Sequence, residues 1–201
     1  TLRRHPDIAM AREKEPHMFD DEQAFGSGVP DFTSYHDQWG ESLGRRRCGE
    51  ATPIYCWWPS AAPRIRDYNP AMKWVLLLRE PASRAYSHWN MERSWGLESQ
   101  PFEAALDREV RDLVERPGLY GKSGSFLSRG FYAQQLERLF ALFPREQFLV
   151  LRSDWLRNDP ARTIGRVLEF LGVRAMEPAE AIEAHVRSYP EPLDPGTRAK
   201  L

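Results

Sequence analysis

Apolar residues fall into two kinds of run along the chain. Trp74 to Leu78 is continuously apolar, and Gln147 to Leu151 is nearly so. Runs of this length predict strands buried on both faces, as in a parallel sheet. Ile8 to Met10 is a third candidate strand. Elsewhere the apolar positions follow helical spacing. Phe102, Ala105, Leu106 and Val110 predict a helix over Pro101 to Glu115. Leu136, Leu139, Phe140 and Phe143 predict another, opened by Arg129 to Tyr132 and ended by Pro144. Ile164, Val167, Leu168 and Leu171 predict a third, with Asp159 as N-cap, Pro160 at the first position and Gly172 as the stop. Shorter helices are expected around Tyr35 to Trp39 and Ala62 to Tyr68, and Thr1 to His5 has the character of a helix tail. Alternating strands and helices predict an α/β three-layer sandwich with a mainly parallel central sheet.

Composition narrows the class. The 201 residues suffice for one domain with a good core. Apolar residues at 41% and charged ones at 28% are the proportions of a soluble globular protein. A net charge of −1 gives no global field toward nucleic acid or membrane. No apolar run is long enough for a membrane span, and no signal peptide is visible. Cys48 and Cys56 form neither a disulfide framework nor a metal quartet. They are expected as small buried residues of a reduced, cytoplasmic protein. The last residues, Thr197 to Leu201, carry the pattern of a helix starting, so native residues are expected beyond both ends of a single 1–201 domain.

The most informative stretch is Lys73 to Trp89, KWVLLLREPASRAYSHW. Arg79 follows the apolar run at once, and Pro81 stops the strand and suits a helix's first turn. The helix runs to about Trp95, where Gly96 ends it. Arg84 and Ser87 share a face within its first two turns. A strand, a tight turn and a helix N-terminus leave free backbone N–H groups, which suits an anion. Arg79 adds a fork suited to phosphate and Ser87 a hydroxyl. The plainer reading is an arginine capping a sheet edge and an ordinary helix serine.

A second stretch, Arg12 to Asp21, reads REKEPHMFDD. If it is extended, Glu15, His17 and Phe19 share one wall. A carboxylate beside an imidazole suits proton transfer; a solvated charged loop is the alternative. Trp57, Trp58, Trp89 and Trp95 either wall an acceptor cleft or pack the core. Arg45 to Arg47 reads as a solvated turn, or less simply as a contact for an anionic acceptor. The loop from Pro117 to Gly124 reads as mobile; its Gly121-Lys122-Ser123 lacks the remainder of a phosphate loop.

Arg79, Pro81, Arg84 and Ser87 together resemble the 3′-phosphate-binding segment of sulfotransferases that use 3′-phosphoadenosine-5′-phosphosulfate (PAPS). Glu15, His17, Phe19 and Asp20 are similar to the Glu-x-His-x-Phe-Asp of heparan-sulfate-type members. Gly49, Glu50, Thr52, Pro53 and Tyr55 resemble a further segment of that family, with Ala51 where Lys is frequent. The resemblance runs from about Ile8 to Pro190. It implies the sulfotransferase fold, akin to that of P-loop nucleotide kinases. It implies that Arg79 and Ser87 hold the 3′-phosphate and that Arg187 and Tyr189 lie toward the nucleotide. It makes Glu15 the base on the acceptor hydroxyl, less readily an amine, with His17 beside it. PAPS is then the donor and 3′-phosphoadenosine-5′-phosphate (PAP) the product, with no metal. The acceptor is a small molecule, a carbohydrate or a carrier-bound group. The family's Gly-, Ser/Thr- and Lys-rich loop for the 5′-phosphosulfate has no match in this chain. Two other readings stay open: a nucleotide kinase-like enzyme, and a non-catalytic binding or interaction domain on the same fold.

Overall fold

A computed structural model describes residues 2–26, 28, 30–44, 46–118, 121–176 and 192–201. These fall into two compact units. One comprises Thr1–Leu78 with Leu136–Glu183, and the other Arg79–Gln135 with Ala184–Leu201.

The first unit holds the strands. β1 (Ile8–Met10) pairs in parallel with β2 (Arg47–Gly49), Ile8 opposite Arg47 and Met10 opposite Gly49. β3 (Trp74–Leu78) pairs in parallel with β4 (Phe148–Arg152), Trp74 opposite Phe148 and Leu78 opposite Arg152. The α/β class and the parallel pairing are those expected. The first of the short helices are α1 (Glu22–Gly26), α2 (Thr33–His36) and α3 (Ala61–Tyr68).

An aromatic core is built on Phe19, which is 1% exposed, with Tyr35, Trp39, Tyr55, Trp57, Trp74 and Phe143. Behind β1 a smaller cluster joins Ile8 to Ile164 and Leu168.

In the second unit, α4 (Pro81–Ser94) and α5 (Phe102–Glu115) bury Tyr86, Trp89, Phe102, Leu106 and Phe126 together. α6 (Tyr132–Leu142) leads the chain back to the first unit. There α7 (Ser153–Asn158) precedes α8 (Pro160–Leu171). In α8, Asp159 accepts from Arg162 N–H at 3.1 Å and Gly172 adopts φ 68°, the capping predicted from sequence. The chain closes with α9 (Pro195–Lys200). Among the described residues, no helix is long and apolar enough to cross a membrane.

One expectation needs correction. Cys48 is exposed rather than buried, because β2 is short and turns its Arg47 and Cys48 to solvent. Of the tryptophans weighed for a cleft or the core, Trp57 and Trp89 are core residues and Trp95 is 57% exposed. Leu2–Arg4 is a 3-10 turn.

Leu139 is 1% exposed within the aromatic core, whereas Val114 is 76% exposed. Leu139→Ala should destabilise the protein by about 2–5 kcal/mol. Val114→Ala should stay within about 0.5 kcal/mol. Urea denaturation of both variants measures the contrast.

Candidate active site

In the first unit, β1 and β2 run side by side and their continuations leave from the same end. Ala11 N–H still reaches Gly49 O at 2.8 Å. The stretch 12–20 leaves β1 and the stretch 50–56 leaves β2, the usual place for a site in a parallel arrangement.

The first of these stretches is not extended. Glu15 has φ 57° and His17 φ 56°, both in the left-handed region. The alternation that would place Phe19 on a common wall with them is therefore lost. The reason is burial: Phe19 turns into the aromatic core, and Asp20 is 0% exposed, so the chain must bend to deliver both. Such backbone costs about 1–3 kcal/mol per residue and persists only where packing enforces it.

The bend still brings the expected pair together. Glu15 Oε2 lies 3.7 Å from His17 Nε2, and Lys14 Nζ lies 3.2 Å from Glu15 Oε1. Asp20 lies 3.0 and 3.1 Å from His17 Nδ1. An ionised Asp20 can only accept, which assigns the imidazole proton to Nδ1 and turns Nε2 toward Glu15. Glu15 is 30% and His17 46% exposed, so an acceptor can reach both. Asp20, matched to the family pattern without a role, is thus the group that orients His17. Its three-residue spacing from His17 was the available signal. Glu50 lies near this bend and accepts from Tyr35 and Thr52, both at 2.6 Å. No local spacing points to Tyr35, fifteen residues earlier.

In the second unit, Arg79 follows the end of β3 and is half-buried. It has no hydrogen-bond or ion-pair partner among the described residues. Ser87 is half-buried on α4. The expected free N–H groups of α4 are not all free. Glu80 is the N-cap, and its carboxylate accepts from Ala82 N–H and Ser83 N–H, both at 2.8 Å. A carboxylate so placed satisfies the orphan donors and the helix dipole. Arg198 in turn pairs with Glu80 at 3.0 Å. Anion binding here therefore falls to side chains.

Arg84 donates to the Phe126 carbonyl. Residues 124–128, at and just beyond the end of the loop read from Pro117 to Gly124, are strapped by buried carboxylates. Glu92 accepts from Gly124 N–H at 3.0 Å, and Glu109 accepts from Leu127 N–H at 2.6 Å and Ser128 N–H at 2.9 Å. Gly130 sits close enough to α4 that a Cβ there would come 3.5 Å from Pro81 Cβ. Arg187 and Tyr189 lie outside the described residues.

A family model described as a sulfotransferase domain matches residues 61–189, which include Arg79 and Ser87. The chain belongs to the sulfotransferase domain family. It is 31% identical over 173 residues to human "Heparan sulfate glucosamine 3-O-sulfotransferase 3B1", covering 86% of this chain and 42% of that protein. It is 32% identical over 177 residues to mouse "Heparan sulfate glucosamine 3-O-sulfotransferase 6", covering 86% of this chain and 47% of that protein. The chain thus spans less than half the length of these relatives. A solved sulfotransferase from Alicyclobacillus acidocaldarius is similar with a TM-score of 0.75 and 26% identity, covering 92% of this chain and 79% of that one.

Beside Ser87 on this sulfotransferase domain's α4, His88 is 8% exposed and its Nε2 lies 3.1 Å from Glu92. Burial, with Arg129 and Arg84 nearby, holds its imidazole below 6.5 despite Glu92. The folded state therefore favours neutral His88, while the unfolded chain protonates at the ordinary value. The contribution is complete above pH 6.5 and is lost as pH falls through that value toward the depressed one. His88→Gln should flatten the pH dependence of stability in this window, read from urea midpoints between pH 5 and about 7.5.

Proposed function

We propose that this chain is a single sulfotransferase domain that moves a sulfuryl group from PAPS to an acceptor hydroxyl. The observation that carries the reading is the Asp20–His17–Glu15 assembly, an accessible carboxylate and imidazole held on a bent backbone by a buried aspartate. Family membership and the match to Arg79 and Ser87 support it.

On the nucleotide side, Arg79 suits the 3′-phosphate because its guanidinium has no partner among the described residues and fits phosphate oxygens in a fork. Ser87 adds a hydroxyl donor. PAPS supplies the sulfuryl group and a phosphate leaving group. On the acceptor side, Glu15 takes the hydroxyl proton as the acceptor oxygen bonds to sulfur. The sulfur–oxygen bond to the donor phosphate breaks, and its electron pair leaves on PAP. His17, oriented by Asp20, steadies the acceptor beside the base. The transfer resembles phosphoryl transfer in depending on positioning and charge neutralisation. A carbohydrate hydroxyl is the acceptor we favour, because the similar human and mouse proteins are heparan sulfate glucosamine 3-O-sulfotransferases.

Two variants test this in a transfer assay with radiolabelled PAPS and heparan-type oligosaccharides. Glu15→Gln should lower turnover by roughly 10²–10⁴ while calorimetric PAP affinity is kept. Undiminished turnover removes Glu15 from the role of base. Arg79→Ala should weaken PAP binding by about 1.5–3 kcal/mol; equal affinity in the variant rejects the 3′-phosphate assignment.

A further inference from the structure

Two hydroxyl groups converge on the Glu50 carboxylate. Tyr35 Oη donates to Oε1 and Thr52 Oγ1 to Oε2, each at 2.6 Å, and the Tyr55 phenol stands near enough to feel its charge. Contacts this short suit a charged acceptor. Burial first, and the Glu50 charge next, push both phenols up from their ordinary value. They stay protonated, and Tyr35 points its hydrogen at the carboxylate.

The same two tyrosines bracket Phe19. Tyr35 and Tyr55 meet its ring edge-on, with centroids at 5.3 and 5.6 Å. The Phe19 N–H also donates to Tyr55 Oη at 3.4 Å. Phe19 lies between His17, which faces Glu15, and Asp20, which orients His17. A displaced phenol moves Phe19 and therefore the bend.

We propose that Glu50 is a positioning residue: by tying Tyr35 against Phe19, it fixes the bend that presents Glu15 and His17. The role rests on the reading of Glu15 as the base. Glu50 itself takes no part in bond making, since its oxygens are occupied by donors. The ionised carboxylate accepts from both Tyr35 and Thr52; once protonated it must donate, and one hydroxyl loses its acceptor. The titratable groups facing this cluster are Tyr35 from α2, Tyr55, Tyr68 from α3, and His17 and Asp20 from the bend. Burial pushes the Glu50 carboxyl above its ordinary 4.5, against the hydrogen bonds and His17. Positioning is therefore lost on acidification from above that value.

The test compares Glu50→Gln with Tyr35→Phe in the full protein. It uses kcat and KM with PAPS and a heparan-type oligosaccharide, the pH profile of kcat, and His17 ring 15N shifts by NMR. Glu50→Gln should lower kcat roughly 10–10²-fold, the cost of a misplaced reacting group, with KM for PAPS unchanged. It should also shift the acid limb of the profile and the His17 ring signals. Tyr35→Phe removes one donor and should give a smaller loss of the same kind. If kcat drops only with the folded fraction seen by circular dichroism, and the pH profile is unmoved, Glu50 is packing alone and the proposal fails. Unchanged His17 signals in Glu50→Gln also overturn it. An active Glu15→Gln enzyme would instead overturn the base assignment, while the His17 signals still report on Glu50.

Discussion

A charged ten-residue loop is held in place by one buried phenylalanine ring. Phe19 sits at 1% exposure in a stretch otherwise rich in acids and bases. Burying it brings in Asp20, and burying Asp20 requires a hydrogen-bond partner, which His17 supplies. The juxtaposition of Glu15 and His17 is thus a consequence of aromatic packing two to four residues further along the chain. Without that anchor, the loop has the composition of a freely solvated segment.

The second unit uses the same principle with carboxylates instead of rings. Glu92 is 2% and Glu109 5% exposed, and each receives backbone N–H groups from the 121–130 loop. A buried carboxylate satisfied in this way is a directional clamp, because losing its donors would leave an uncompensated charge. Glu80 does the same on the surface at the start of α4. Several acidic residues in this protein therefore close off backbone donors, which the near-neutral net charge conceals.

Much of the frame was readable from the chain. β3 and β4 are apolar runs with no other economical placement, and α8 carries its own start and stop signals in Asp159, Pro160 and Gly172. β2 was invisible because three residues with exposed Arg47 and Cys48 show neither alternation nor an apolar run. α7 was missed because Ser153–Asn158 has no apolar stripe. Glu15 and His17 could be found as a pair, but for the wrong geometric reason. A period-two argument assumes extended backbone, and the bend comes from a tertiary contact that no local window contains. The Glu80 cap was missed although it stands beside Pro81: an acidic side chain ahead of a helical proline competes with any outside anion for the same donors.

The left-handed backbone at Glu15 and His17 sets a conflict into the fold. Conformational ease alone would fill both places with glycine or asparagine. A carboxylate and an imidazole stand there instead, each in a shape its side chain resists. Where local comfort and side-chain identity disagree twice within three residues, the residue chosen reveals what the position is for.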